Sequence, residues 1–144
     1  MQTFTTCFIV AMGGALGTMA RFAISLMALP ISRNLPLGTL IINFVGSFVI
    51  GFFGTFTLAH GKFPLSENVR LFVMVGVCGG FTTFSSFSLQ TLDLLRGGAY
   101  VRAMANIVLS VVLCVSAVAV GHLIAAHYNE GAKEIVQIEI EEEA

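Results

Sequence analysis

Gly79-Gly80-Phe81-Thr82-Thr83-Phe84-Ser85-Ser86-Phe87-Ser88 sits in the middle of an otherwise apolar run, residues 71–95. A run of that length suits a membrane-crossing helix, which takes about 20 apolar residues. A glycine pair and five hydroxyl side chains weaken a continuous helix at this point. Glycine loses more backbone freedom on ordering than other residues, and Ser and Thr compete for backbone hydrogen bonds. A break at membrane depth frees carbonyls that lipid cannot satisfy, so a protein-buried site or a cation must do so. Phe81, Phe84 and Phe87 recur every three residues, and adjacent pairs project from neighbouring helical faces. Such a stripe is ordinarily core packing, although aromatic edges carry partial positive charge and can face an anion weakly.

Three more apolar stretches, residues 4–29, 37–59 and 101–126, accompany this one. The whole chain of 144 residues is 56% hydrophobic and 10% charged, where a soluble domain carries about a quarter charged residues. Mean hydropathy is +0.92. These values exclude a disordered chain and a water-soluble enzyme, and a net charge of −1 offers no basic face for nucleic acid. The expected fold is an all-α membrane protein of four transmembrane helices, the third broken mid-membrane. One channel-sized bundle, residues 1–128, precedes an acidic tail, residues 129–144, which reads as a solvated extension. Cys7, Cys78 and Cys114 lie in separate apolar stretches and form no disulfide framework. The first 20 residues contain no Lys or Arg, so they lack the charged start of a secretory signal.

Polar residues inside the spans mark buried faces or pathways, because lipid offers them no partner. Gly13 and Gly17 are four apart, a spacing that permits close helix approach. Arg21 follows them, a membrane cation whose role is either structural or electrostatic toward an anion. Asn43 in the second span is either interhelical glue or a pore-lining amide with two N–H donors. Asn106 and Ser110 share one face of the fourth helix, as interhelical hydrogen-bonders or as pore lining. No carboxylate lies deep in a span, Asp93 being near the end of the third, which weighs against proton-coupled export and against acidic cation-selecting rings. His60, His122 and His127 share no metal-ligand spacing, and no nucleophile–base pair is apparent.

Positive charges outside the spans tie. Lys62, Arg70 and Lys133 fall on the side of both termini, and Arg33, Arg96 and Arg102 on the other. Orientation follows an imbalance of Lys and Arg, so this chain is expected to insert both ways.

Gly38-Thr39-Leu40-Ile41-Ile42-Asn43 and Gly79 through Phe87, with Gly14-Ala15-Leu16-Gly17 followed by Arg21, resemble the signatures of the CrcB/Fluc fluoride channels. The resemblance covers residues 13–127. It implies an antiparallel, dual-topology homodimer in the lipid membrane, whose third helices cross at their breaks around a structural sodium ion (Na+). The main-chain carbonyls of Gly79 and Thr82 would hold that ion. Two fluoride pores along the dimer interface would be lined by Asn43, Phe84 and Phe87, with Ser86 and Ser110 as a polar track. Asn106 stands where some relatives carry an aromatic hydroxyl, so the resemblance assigns it no role. The implied activity is passive export of cytoplasmic fluoride across a bacterial inner (plasma) membrane, without enzymatic chemistry. A small four-span drug or cation transporter is the alternative, opposed by the missing membrane carboxylate and by the third-helix motif; a membrane scaffold subunit is another.

Overall fold

The computed structural model describes residues 2–58 and 61–129. Most of them lie in five helices, α1 (Gln2–Met27), α2 (Leu37–Phe56), α3 (residues 67–81), α4 (Phe84–Arg96) and α5 (Tyr100–Tyr128), with a short 3-10 turn at Leu29–Ile31. Helices α3 and α4 are two halves of one crossing, so four segments are long and apolar enough to span a membrane: Thr3–Met27, Leu37–Phe56, Glu67–Arg96 and Tyr100–Tyr128. The bundle is inside-out compared with a water-soluble one. Its large apolar side chains, such as Phe4, Phe22 and Val101, face outward, and its buried positions are filled largely by Gly, Ala, Ser and Thr. Lipid is as apolar as leucine, so close packing of small residues holds such helices together.

Two glycine seams do this. Along the first, Gly13 and Gly17 of α1 lie against Gly76, Val77 and Phe81 of α3, and Gly80 presses on the backbone of Gly14. Along the second, Gly51 of α2 sits on the backbone of Val118, and Gly121 of α5 on that of Phe48 and Phe52. Helices adjacent in the chain are therefore not the tightest partners: α1 pairs with α3, and α2 with α5. Within α3, residues Phe72–Cys78 form a π-helical stretch that the sequence reading did not anticipate.

The second span ends at Phe56 rather than at residue 59 because long-range partners take its last carbonyls. Arg70 donates to Gly54 O at 2.9 Å and to Thr57 Oγ1 at 2.6 Å. A guanidinium at a helix C-terminus also complements the negative end of the dipole. Asn129 Nδ2 donates to Thr55 O at 3.1 Å, while its Oδ1 accepts from Lys62 N at 2.6 Å. Asn129 is 0% exposed, so the bundle extends through this residue, and the rest of the acidic tail lies outside the described residues. The link from α4 to α5 is tight. Ala99 N donates to Leu94 O and Gly98 N to Leu95 O, the two bonds of a Schellman stop. Gly98 supplies the required positive φ of 73°.

Neighbouring glycines on α3 should behave oppositely. A Cβ on Gly80 would collide with backbone atoms of Gly14, whereas one on Gly79 would meet open space. Gly80→Ala should destabilise the bundle by ~1–3 kcal/mol, as overpacking does. Gly79→Ala should leave stability unchanged or raise it by up to about 1 kcal/mol through helix propensity. Thermal unfolding in detergent would distinguish them, and equal melting temperatures would remove the seam from the account.

Candidate functional site: a broken helix beside an uncharged groove

The third span breaks at two threonines, not at the glycine pair. Gly79 and Gly80 are helical, and the backbone becomes extended at Thr82 (φ −77°, ψ 159°) and Thr83 (φ −154°, ψ 115°) before α4 begins at Phe84. Side chains impose this. Thr83 N–H donates to Asn43 Oδ1 at 2.7 Å, and Asn43 Nδ2 donates to Thr83 O at 3.0 Å. One amide from α2 thus satisfies both backbone groups of the residue at the break. Gly46, one turn along α2, allows the approach, since a Cβ there would strike Thr82 and Phe81.

The consequence falls on the last carbonyls of α3, Gly79 O and Thr82 O among them. In an uninterrupted helix each N–H bonds the carbonyl four residues back, so Thr83 N–H would serve Gly79 O and Ser86 N–H would serve Thr82 O. Asn43 has taken the first donor, and Thr83 Oγ1 takes the second, accepting from Ser86 N at 3.1 Å as an N-cap. Gly79 O and Thr82 O have both lost their ladder donors to side chains. The break also brings the C-terminal end of α3, which favours positive charge, next to the N-terminal end of α4, which favours negative charge.

Beside the break lies a groove of about 390 Å³. It gathers Asn43, Gly79, Thr82, Phe84, Phe87 and Ser110, residues that the sequence reading singled out on three different spans. Ser47, Cys78, Thr83 and Cys114 add small side chains, and Ile50, Met74, Val111 and Val115 make much of the remaining wall apolar. Phe84 and Phe87 stand with ring centroids 5.3 Å apart, tilted by 49°. Their surroundings differ: Phe84 is 78% exposed and Phe87 only 8%. Ser86 does not line the groove, and its hydroxyl accepts from Thr83 Oγ1 at 3.1 Å. Arg21 does not line it either; it stands half-buried one turn beyond Gly17 on the α1 stripe that meets α3.

Two residues were not singled out from sequence. Thr83 is the hub of the break; a Thr immediately before an apolar helical segment is an N-cap signal that could have marked it. Thr91 donates to Phe87 O at 2.7 Å and accepts from Asn106 Nδ2 at 2.9 Å. Asn106 is 4% exposed and ties α5 to α4; it is not among the groove-lining residues.

Chemically, the groove sets a few neutral hydroxyls, one amide and two aromatic rings in a mainly apolar wall, with no fixed charge among its lining residues. Residues 8–122 match the family described as CrcB-like protein, Camphor Resistance (CrcB). The chain is 67% identical over 142 residues to a fluoride-specific ion channel FluC of Methylobacterium radiotolerans, covering 99% of both. A protein of the same name from Gluconobacter oxydans is 62% identical over 144 residues, covering 99% of this chain and all of that one. Another, from Rhodospirillum rubrum, is 52% identical across 88% of this chain and 98% of its own length. A helical break built from Asn43 and Thr83 and a match spanning all four membrane segments lead to one conclusion: the chain belongs to the CrcB family.

Proposed function

We propose that this chain is a fluoride-selective channel that lets cytoplasmic fluoride leave a bacterial cell passively and so lowers its toxicity. The observation that carries the reading is the groove at the break, where Asn43, Phe84, Phe87 and Ser110 converge without a fixed charge. The names of the high-identity relatives point the same way. Fluoride is small and strongly hydrated, so a pore must replace water with donors. Asn43 Nδ2 carries two hydrogens, one committed to Thr83 O and the other left for a passing ion. Neutral donors hold an anion weakly enough to release it, which conduction requires. Undissociated HF enters from acidic surroundings and dissociates inside, and the negative interior then drives the anion outward.

The functional unit is an antiparallel homodimer. In one chain the groove is open and Phe84 is largely exposed, and the amide and hydroxyls in its wall are costly to leave against lipid; a second copy would cover them. The same pairing would complete a sodium site. Gly79 O and Thr82 O, stripped of ladder donors, are hard oxygens suited to such a cation, but two are too few. The partner's equivalent pair doubles them, and the bound ion would supply a fixed positive charge near both pores. A proton-coupled drug exporter needs a titratable carboxylate at depth; Asp93 is exposed near the end of α4.

Purified protein in liposomes should release fluoride and retain chloride when a potential is imposed; equal efflux of the two ions would overturn the selectivity. Phe84→Ile or Phe87→Ile should cut fluoride efflux by about tenfold or more, a barrier change of roughly 1.4 kcal/mol, with the dimer still assembled on size exclusion. Unchanged flux in both would return the rings to ordinary packing.

Asn43→Asp keeps an acceptor for Thr83 N–H but removes the donors and adds repulsion at low dielectric. Its fluoride efflux should fall well below that of the unmodified protein, and normal conduction would move the pore elsewhere.

Orientation provides a separate check. Three lysines added around Lys62 should commit every copy to one topology and abolish function when that form is expressed alone. Co-expression with a form carrying three added lysines in residues 96–102 should restore it. If a cysteine placed on the tail side of the unmodified protein labels from one face of the membrane alone, dual topology is rejected.

A further inference from the structure

We infer that Asn106 and Thr91 are a positioning pair that sets the gap between Phe87 and Ser110, and through it the discrimination between fluoride and larger halides. The inference rests on the pore reading above. Thr91 Oγ1 donates to Phe87 O at 2.7 Å, which commits its single proton and aims its lone pairs outward. Asn106 Nδ2, on α5, donates to that oxygen at 2.9 Å. All three residues are buried, with Asn106 at 4% and Thr91 at 7% exposure. A two-bond relay in a low-dielectric interior is stiffer than either bond alone.

Geometry turns this relay into a gauge. Phe87 and Thr91 are one helical turn apart on α4, and Asn106 and Ser110 one turn apart on α5. The hydrogen bond therefore joins one end of each pair, and the groove-lining members, Phe87 and Ser110, form the other end. Helix α4 packs far less extensively on α5 than α2 does, so little apolar packing fixes its rotation. The Schellman turn at Gly97–Gly98 holds the two helices at their connection, and the Asn106–Thr91 bond holds them further in. Without it, α4 is free to roll and carry the Phe87 ring toward or away from Ser110.

The test uses full-length protein in liposomes, with fluoride and chloride efflux measured separately and dimer assembly checked by size exclusion. Thr91→Val is nearly isosteric and removes the relay; it and Asn106→Leu should each lower the fluoride-to-chloride efflux ratio by about tenfold, the scale of one buried hydrogen bond. The double variant should be no worse than the weaker single, because both break one linkage. Thr91→Ser keeps the hydroxyl and should preserve the ratio. An unchanged ratio in Thr91→Val, losses that multiply in the double variant, or a Thr91→Ser as impaired as Thr91→Val would each overturn the inference. Phe84→Ile and Phe87→Ile separate the two levels: if both leave flux intact, the pore reading fails, whereas loss of flux in either beside a normal Thr91→Val defeats the relay alone.

Discussion

The bond on which this fold depends is the reciprocal pairing of the Asn43 amide with the N–H and C=O of Thr83. Extended backbone at membrane depth leaves groups that cannot turn to water, and each buried, unsatisfied group costs about 1–3 kcal/mol or more. One side chain removes two such penalties. It also couples the two halves of the bundle, for Asn43 belongs to the α2–α5 seam and Thr83 to the crossing that α1 grips. Each seam positions one partner of the bond, so the break forms where the glycines bring the helices close.

The chemistry of the site follows from how donors are shared there. A helix normally spends every carbonyl on its own backbone. Here Asn43 and the Thr83 hydroxyl divert two donors, and the span presents main-chain oxygen on one side of the break and helix N-terminal N–H groups on the other. Opposite polarities thus arise from one uncharged segment. Formal charges would bind an ion more tightly, but a conducting pathway gains nothing from an ion that stays.

Hydropathy read along the chain located four spans because length and composition are local properties. Their ends were less legible. Helix α2 stops early through Arg70 and Asn129, which approach from 13 and more residues away in sequence. The glycine pair and hydroxyl run of the third span, residues 79–88, marked the region of the break, and within it both glycines stay helical, Gly80 packed against Gly14. The true break depends on an amide 40 residues distant, which no local pattern reveals. Six of the eight candidate residues, Asn43, Gly79, Thr82, Phe84, Phe87 and Ser110, fall in a single groove, while Ser86 and Arg21 do not. Asn106 was ambiguous for a physical reason: a buried amide on a helix face looks the same in sequence whether it meets an ion or, as here, the Thr91 hydroxyl.

The π-helical stretch Phe72–Cys78 affects how this chain can change over generations. A π segment carries a wider turn than the α-helix around it, in effect one extra residue absorbed into the coil. A wide turn can give up its extra residue and close to α-helix with the register beyond it kept, but each residue elsewhere turns the helix by about 100°, so losing one from the α-helical part of α3 would swing everything beyond it by that angle. Gly80 would leave Gly14, and Thr83 would leave Asn43, in the same step. The π stretch is the part of α3 able to absorb a change of one residue; the rest of α3 acts as a ruler, and longer insertions and deletions should be confined to the connections between spans.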